Sequence, residues 1–237
     1  MKMSADGNSG DIFIYGDIES YKFVDEDTTA TSFKNDLDNL GNVSDINLYI
    51  NSPGGNVFEG LAIHNMLKRH KAKVTVNVDA LAASISSVIA MAGDVIRMPS
   101  NSMMMIHNAL AGMVGNAEEL RKMADDLERI TNSTKETYLT KSNGKLTEDK
   151  LTELMDAETW LSAYEAVQYG LADEVLEENE MVASVNSEIM NKYKNVPKDL
   201  IKKEQTAMTA EEKAERNKIA EQANQKLKLI KNGGILL

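Results

Sequence analysis

No cysteine occurs in the 237 residues, which removes disulfides, thiolate nucleophiles and thiolate zinc sites together and suits a reducing compartment. Histidine is scarce: His64, His70 and His107 are the whole supply, and no two of them have the spacing of metal ligands. Basic residues are outnumbered 26 to 37, a net charge of −11, so a broad nucleic-acid surface, which needs lysine and arginine, is disfavoured. The longest apolar run, Ala80 to Gly93, is bounded by Asp79 and Asp94 and falls short of the ~20 residues that span a bilayer. Residues 1–10 lack the apolar core of a secretion signal and read as a flexible N-terminus. No glycine-rich phosphate loop ending in Lys-Ser or Lys-Thr is present, so the chain is not expected to power work with ATP. These absences predict a soluble, cytoplasmic protein with no metal or other cofactor and neither nucleic acid nor membrane as a partner.

What is present alternates between two patterns. Short β-type runs, Asp11–Tyr15, Ile46–Ile50, Val74–Val78, Val95–Met98 and Met103–Ile106, are interleaved with helix-type stretches at Thr29–Leu40, Val57–His70 and the small-residue run after Ser84. Asn51-Ser-Pro-Gly-Gly55 reads as a turn between them. Such repetition predicts an α/β domain of stacked βαβ layers, with chemistry in the loops at the strand ends. A long charged helix is expected from Asn116 to about Lys141, with an apolar stripe of Leu120, Met123, Leu127 and Ile130 that packs on its own domain or on a neighbouring subunit. A short helix follows over Leu146–Met155, begun by Thr147. From Lys192 onward, eleven basic residues face six acidic ones, against 15 and 31 before it. Residues 177–237 therefore read as an extension, with Thr209 and Glu212 opening a basic helix that runs to about Leu229.

With so few titratable bases, Ser84 at the mouth of the small-residue helix and His107 at the end of an apolar strand are the natural nucleophile and base. A serine hydroxyl attacks a carbonyl only when a neighbour accepts its proton, and an imidazole with an ordinary pKa near ~6.5 can do so near neutrality. Gly54 and Gly55 can adopt backbone geometry closed to other residues and let a substrate approach closely. That combination points to a serine hydrolase.

Asn51-Ser-Pro-Gly-Gly55, Leu81-Ala-Ala-Ser84, Met105-Ile-His107 and Leu161-Ser-Ala-Tyr-Glu-Ala-Val-Gln-Tyr-Gly-Leu-Ala-Asp173 resemble, in order, the signature of the Clp protease proteolytic subunit family. The likeness spans roughly residues 11–176, which would form the peptidase domain. Gly55-Asn-Val-Phe-Glu-Gly-Leu-Ala-Ile-His64, Met103-Met-Met-Ile-His-Asn108 and Glu158-Thr-Trp-Leu161 are more similar to the phage branch, the head maturation (prohead) proteases. The resemblance implies a Clp/crotonase-like layered βαβ spiral with a long protruding helix and a helical C-terminal extension. It implies a third catalytic residue at Glu158, with Asp156 as the alternative acid, and an oxyanion hole from the amides of Gly55 and Ile85. Gly54, Asn108, Ala109 and Leu110 would bind an extended peptide as an added strand. It also implies a homo-oligomeric ring, typically of seven and possibly stacked, and a capsid or scaffold protein as substrate in the host cytoplasm or the assembling head.

Each element has a plainer explanation. Ser-Pro-Gly-Gly is a common turn, Ser86 and Ser87 suit helix packing, His64 and His70 suit a partly exposed helix, and Met103–Met105 suits a buried strand. What favours catalysis is the joint occurrence of Ser84, His107, the glycine pair and the Trp160 segment in one order. The alternatives are a housekeeping-type subunit fed by a separate ATPase, a catalytically inactive assembly factor, and a crotonase-type acyl-CoA enzyme, which shares the layered fold without a serine-histidine pair.

Overall fold

The computed structural model describes residues 2–3, 8–177 and 193–197. The basic helix expected near Thr209–Leu229 lies outside them. The expected α/β architecture is present: an eight-stranded, mostly parallel sheet flanked by helices. The strands are β1 (Lys2–Met3), β2 (Ser9–Ile18), β3 (Asp45–Gly55), β4 (Lys73–Ala83), β5 (Val95–Pro99), β6 (Met103–Ile106), β7 (Thr159–Ser162) and β8 (Glu174–Leu176). The main path runs β1-β2-β3-β4-β5-β8, with β6 pairing both β4 and β7. Ile12 and Ile14, Ile46, Leu48 and Ile50, and Val74, Val76 and Val78 alternate along the three central strands and bury one common face, as a sheet covered by crossover helices requires.

The helices are α1 (Ala30–Leu40), α2 (Val57–Lys68), α3 (Ile85–Ala90), α4 (Ala117–Ser142), α5 (Glu148–Asp156) and α6 (Ala163–Gln168). Apart from α3, whose N-cap Ser84 makes no side-chain cap bond, their starts are fixed by side chains that satisfy otherwise unpaired backbone N–H groups. Thr29 with Ser32, Asn116 with Glu119 and Ser162 with Glu165 form reciprocal capping boxes, and Thr147 and Asn56 cap α5 and α2. On α1 the apolar positions Phe33, Leu37 and Leu40 fall on one face and are buried.

Strand β4 is the hub. Its first half, Thr75–Asn77, pairs with Val95–Arg97 of β5, whereas its second half, Leu81–Ala83, pairs with Met103–Met105 of β6. The sheet therefore splits along β4, and the ends of β3, β4, β6 and β7 gather on one rim.

The structure corrects the sequence reading in two places. Asn51–Gly55 is the extended end of β3 and not a turn, because Ser52 pairs with Ala82 on one side while Gly54 and Gly55 pair with Asp17 and Ile18 on the other. The ladders on both sides keep the segment extended despite Pro53 and the glycines, with a register irregularity in each. The strand read at Val74–Val78 runs on to Ala83 for the same reason, and the helix after Ser84 is only six residues long. Within the first ten residues, Lys2–Met3 pairs antiparallel with Gly10–Asp11.

Gly55 has φ 143° and a Cβ there would collide with the carbonyl oxygen of Ile18. Gly55→Ala should lower the unfolding free energy by about 1–3 kcal/mol, an overpacking cost, and urea denaturation followed by circular dichroism measures it.

Candidate active site

Ser84 follows the last residue of β4, and its backbone N–H donates to the carbonyl of Met105 on β6 at 2.9 Å. Because Ala83 pairs with Met105, the next residues of the two strands emerge side by side, and the His107 Nε2 lies 2.7 Å from the Ser84 Oγ. Strand β7 runs antiparallel to β6 with Thr159 opposite Ile106, which puts Glu158 across from His107. The Ser52–Ala82 pairing brings Gly54 and Gly55 to the other side of Ser84.

Ser84 has φ 56° and ψ −128°, in the region normally left to glycine. A residue held there costs on the order of 1–3 kcal/mol, and the surroundings hold it. Gly54 has no Cβ, and one built there would lie 2.6 Å from the Ala83 carbonyl and 2.8 Å from the Ser84 Cβ. The sharp turn from strand into helix is thus matched to a glycine beside it. Beneath it, the Ser86 hydroxyl bonds to the carbonyls of Ala83 and Ser52 at 2.7 and 2.9 Å. The Ser87 hydroxyl donates to the Ser84 carbonyl at 2.6 Å and contacts the fully buried Tyr138 phenol at 2.7 Å. The two following serines therefore hold the turn, and Ser84 presents its hydroxyl to the cleft.

The imidazole is largely buried, and desolvation pulls its pKa below the ordinary histidine value, with Glu158 pulling it back up. It is therefore neutral at pH 7, as acceptance of a proton requires. Glu158 is itself buried, with φ 50°. One of its carboxylate oxygens, Oε1, accepts from the backbone N–H of Asn195 at 2.7 Å. Asp156 turns elsewhere: its carboxylate accepts from the Asn108 amide at 2.7 Å, beside a separate pocket lined by Ala109, Thr131 and Lys135. Of the two acids weighed in the sequence, Glu158 is the one whose charge acts on His107.

The cleft at Ser84 encloses about 400 Å³. Gly55, Ile85, Asn108, Ala109 and Leu110 line it with Ser84 and His107. Its far wall is apolar: Val57, Val88, Met123, Leu127, Ile130 and Tyr138. The stripe on α4 thus splits in function. Met123, Leu127 and Ile130 face the cleft, and Leu120 is exposed. Gly54 lies behind the cleft at the Ser84 turn and is not among its lining residues. His64 contacts Asn65 and His70 accepts from the Ala72 N–H, both away from this rim.

Tyr193 was not singled out in the sequence. It lines the same cleft, only 8% exposed, and its hydroxyl donates to the Pro53 carbonyl at 2.6 Å. Its ring stands edge-on to His107 with centroids 5.1 Å apart. Nothing local marks it, since Pro53 is 140 positions away. Among the described residues no cluster of three or more histidine, aspartate and glutamate side chains could hold a metal, and no helix is long and apolar enough to cross a membrane.

Removing the Glu158 charge removes the influence that raises the His107 pKa. Glu158→Gln should therefore shift the His107 titration, followed by NMR, further below the ordinary histidine range, and Asp156→Asn should leave it in place. The unfolded chain takes up a proton on its imidazole at a higher pH than the folded one, so this group lowers stability as pH falls from its ordinary value through its depressed one.

The Clp protease family model matches residues 9–179. The ATP-dependent Clp protease proteolytic subunit of Deinococcus radiodurans is 34% identical over 145 residues, 60% of this chain and 70% of that protein. The subunit of the same name from Porphyromonas gingivalis is 34% identical over 148 residues, 60% of this chain and 64% of the relative, and that of Bacteroides fragilis is 34% identical over 143 residues, 59% and 68%. The matched region contains all four strand ends that form the rim, and on these grounds the chain belongs to the Clp protease family, a family of serine peptidases.

Proposed function

We propose that this chain is a serine endopeptidase in which Ser84 attacks the peptide carbonyl, His107 takes its proton and returns it to the leaving amine, and Glu158 orients the imidazole and stabilises its charged form. The observation that carries this reading is the 2.7 Å approach of Nε2 to Oγ in a cleft where burial keeps the imidazole neutral. The amides of Gly55 and Ile85 are the proposed oxyanion donors. Both residues line the cleft with Ser84, and each fixed donor aimed at the developing charge lowers the barrier by roughly 3 kcal/mol. The apolar far wall accepts an apolar substrate side chain, while the segment after His107, including Asn108, Ala109 and Leu110, offers backbone to an extended peptide. The acyl-CoA alternative has no use for the serine-imidazole contact.

We further propose a capsid or scaffold protein as the substrate, cleaved by a homo-oligomeric ring in the host cytoplasm or the assembling head. The segments around Gly55–His64 and Glu158–Leu161 support this through their likeness to phage maturation proteases. The bacterial relatives, named as ATP-dependent subunits, favour a second reading, a subunit that works with a separate ATPase.

Incubation with a candidate capsid precursor, without an ATPase, separates these readings. Wild type should cleave it, and Ser84→Ala should be slower by about 10⁴-fold or more. Equal processing by both chains would exclude the mechanism, and cleavage that requires an added unfoldase and ATP would favour the second reading.

A further inference from the structure

The match to the family ends at residue 179, yet residues 193–197 lie on the candidate active site and touch three of its parts. The Tyr193 hydroxyl donates to the Pro53 carbonyl at 2.6 Å, at the peptide that leads into Gly54 and Gly55. The Tyr193 ring stands edge-on against His107 and also faces Trp160 of β7, centroids 6.3 Å apart. Two residues on, the Asn195 N–H donates to Glu158 Oε1 at 2.7 Å, and the Asn195 side-chain amide donates to the Ala157 carbonyl at 2.8 Å. Tyr193 is buried in a small apolar cluster with Leu81, Ala83 and Met105, the strand residues that flank Ser84 and His107.

From these contacts we infer that Tyr193 and Asn195 form a positioning strap that completes the active site: Tyr193 fixes the oxyanion segment and the imidazole, and the Asn195 backbone N–H fixes the acid. The inference rests on the peptidase reading above. A strap could instead plug the cleft, but Tyr193 forms one wall of a cavity that still holds about 400 Å³ of open space beside Ser84. The Asn195 N–H takes Oε1 of Glu158 at 2.7 Å, and the inference assigns the second carboxylate oxygen to the imidazole N–H, the group a triad acid receives. Burial and the nearby Glu158 charge push the Tyr193 phenol up to about 12, with the Ser84 hydroxyl opposing the rise, so the phenol is neutral and keeps its donor at working pH. Among the described residues, Glu158 and this phenol are set against the imidazole, Glu19 lines the same cleft, and Asp156 is turned to Asn108.

The test uses the full chain and the variants Tyr193→Ala, Tyr193→Phe, Asn195→Pro, which deletes the N–H, and the exposed strap control Lys194→Ala. Each is assayed on a fluorogenic peptide with an apolar residue before the cleaved bond, with rates expressed per site titrated by a peptidyl phosphonate. Counting only reactive sites removes loss of folded protein from the comparison. Tyr193→Ala and Asn195→Pro should each lower kcat by about tenfold to a hundredfold with KM moving less than about threefold, since a small misplacement of reacting groups costs rate before binding. Tyr193→Phe, which keeps the ring and loses the hydroxyl with its contacts to Pro53 and Ser84, should lose about threefold to tenfold, and Lys194→Ala should match wild type. In Tyr193→Ala water reaches the imidazole, so the acid limb of the pH–rate profile should move up towards the ordinary histidine value, whereas in Tyr193→Phe it should stay. Unchanged kcat in both Tyr193→Ala and Asn195→Pro, an increase in either, or an acid limb that does not move in Tyr193→Ala would overturn the inference. A wild-type chain that fails to react with the phosphonate at Ser84 would instead overturn the peptidase reading beneath it.

Discussion

Strands that pair in register must end side by side, and that constraint organises the functional rim of this protein. Ala83 pairs with Met105, Ile106 with Thr159, and Ser52 with Ala82. Each pairing fixes what comes next: Ser84 beside His107, His107 across from Glu158, and the two glycines beside Ser84. A slip of one residue in any of these ladders would reverse the face presented by every following side chain. The buried alternation of isoleucine, leucine and valine on β2, β3 and β4 makes such a slip costly, because it would turn the core residues outward.

The same packing sets the electrostatics. Burial of His107 favours its neutral form, and the carboxylate of Glu158 restores part of its basicity, so the imidazole is held between two opposing influences. The strained backbone at Ser84 is tolerated because Ser86, Ser87 and Tyr138 bond the surrounding carbonyls and hydroxyls. Ser84 is therefore positioned by polar contacts inside an otherwise apolar layer, in which every residue of α3 is buried. An arrangement of this kind favours a fixed turn over a mobile one, as catalysis by preorganised groups needs.

Much of this was legible in the sequence, for identifiable reasons. The parallel strands carry strong β-branched alternation, and α1, α4 and α5 begin at recognisable caps. Ser84 and His107 stood out because the chain has so few alternatives. The extended course of Asn51–Gly55 was hidden, since proline and glycine locally favour a turn and only pairing with the two neighbouring strands keeps it extended. β7 and β8, four and three residues long, are too short for periodicity to register. Asp156 and Glu158 lie two positions apart at a helix end and could not be separated without the β6–β7 register. Tyr193 was invisible because its partners are distant in the chain and no spacing rule connects them. The apolar stripe on α4 was seen, but the cleft that Met123, Leu127 and Ile130 line could be located only in three dimensions.

The central claim is that the Ser84 hydroxyl, activated by His107, faces backbone amides that receive an oxyanion. A crystal structure of the full chain inactivated by a peptidyl phosphonate tests it most directly. The account predicts phosphorus bonded to the Ser84 Oγ, one phosphoryl oxygen within hydrogen-bond distance of the Gly55 and Ile85 amides, and the apolar side chain of the inhibitor against Met123 and Leu127. A phosphonate bonded to another residue, or a phosphoryl oxygen turned to solvent with neither amide near it, would contradict it.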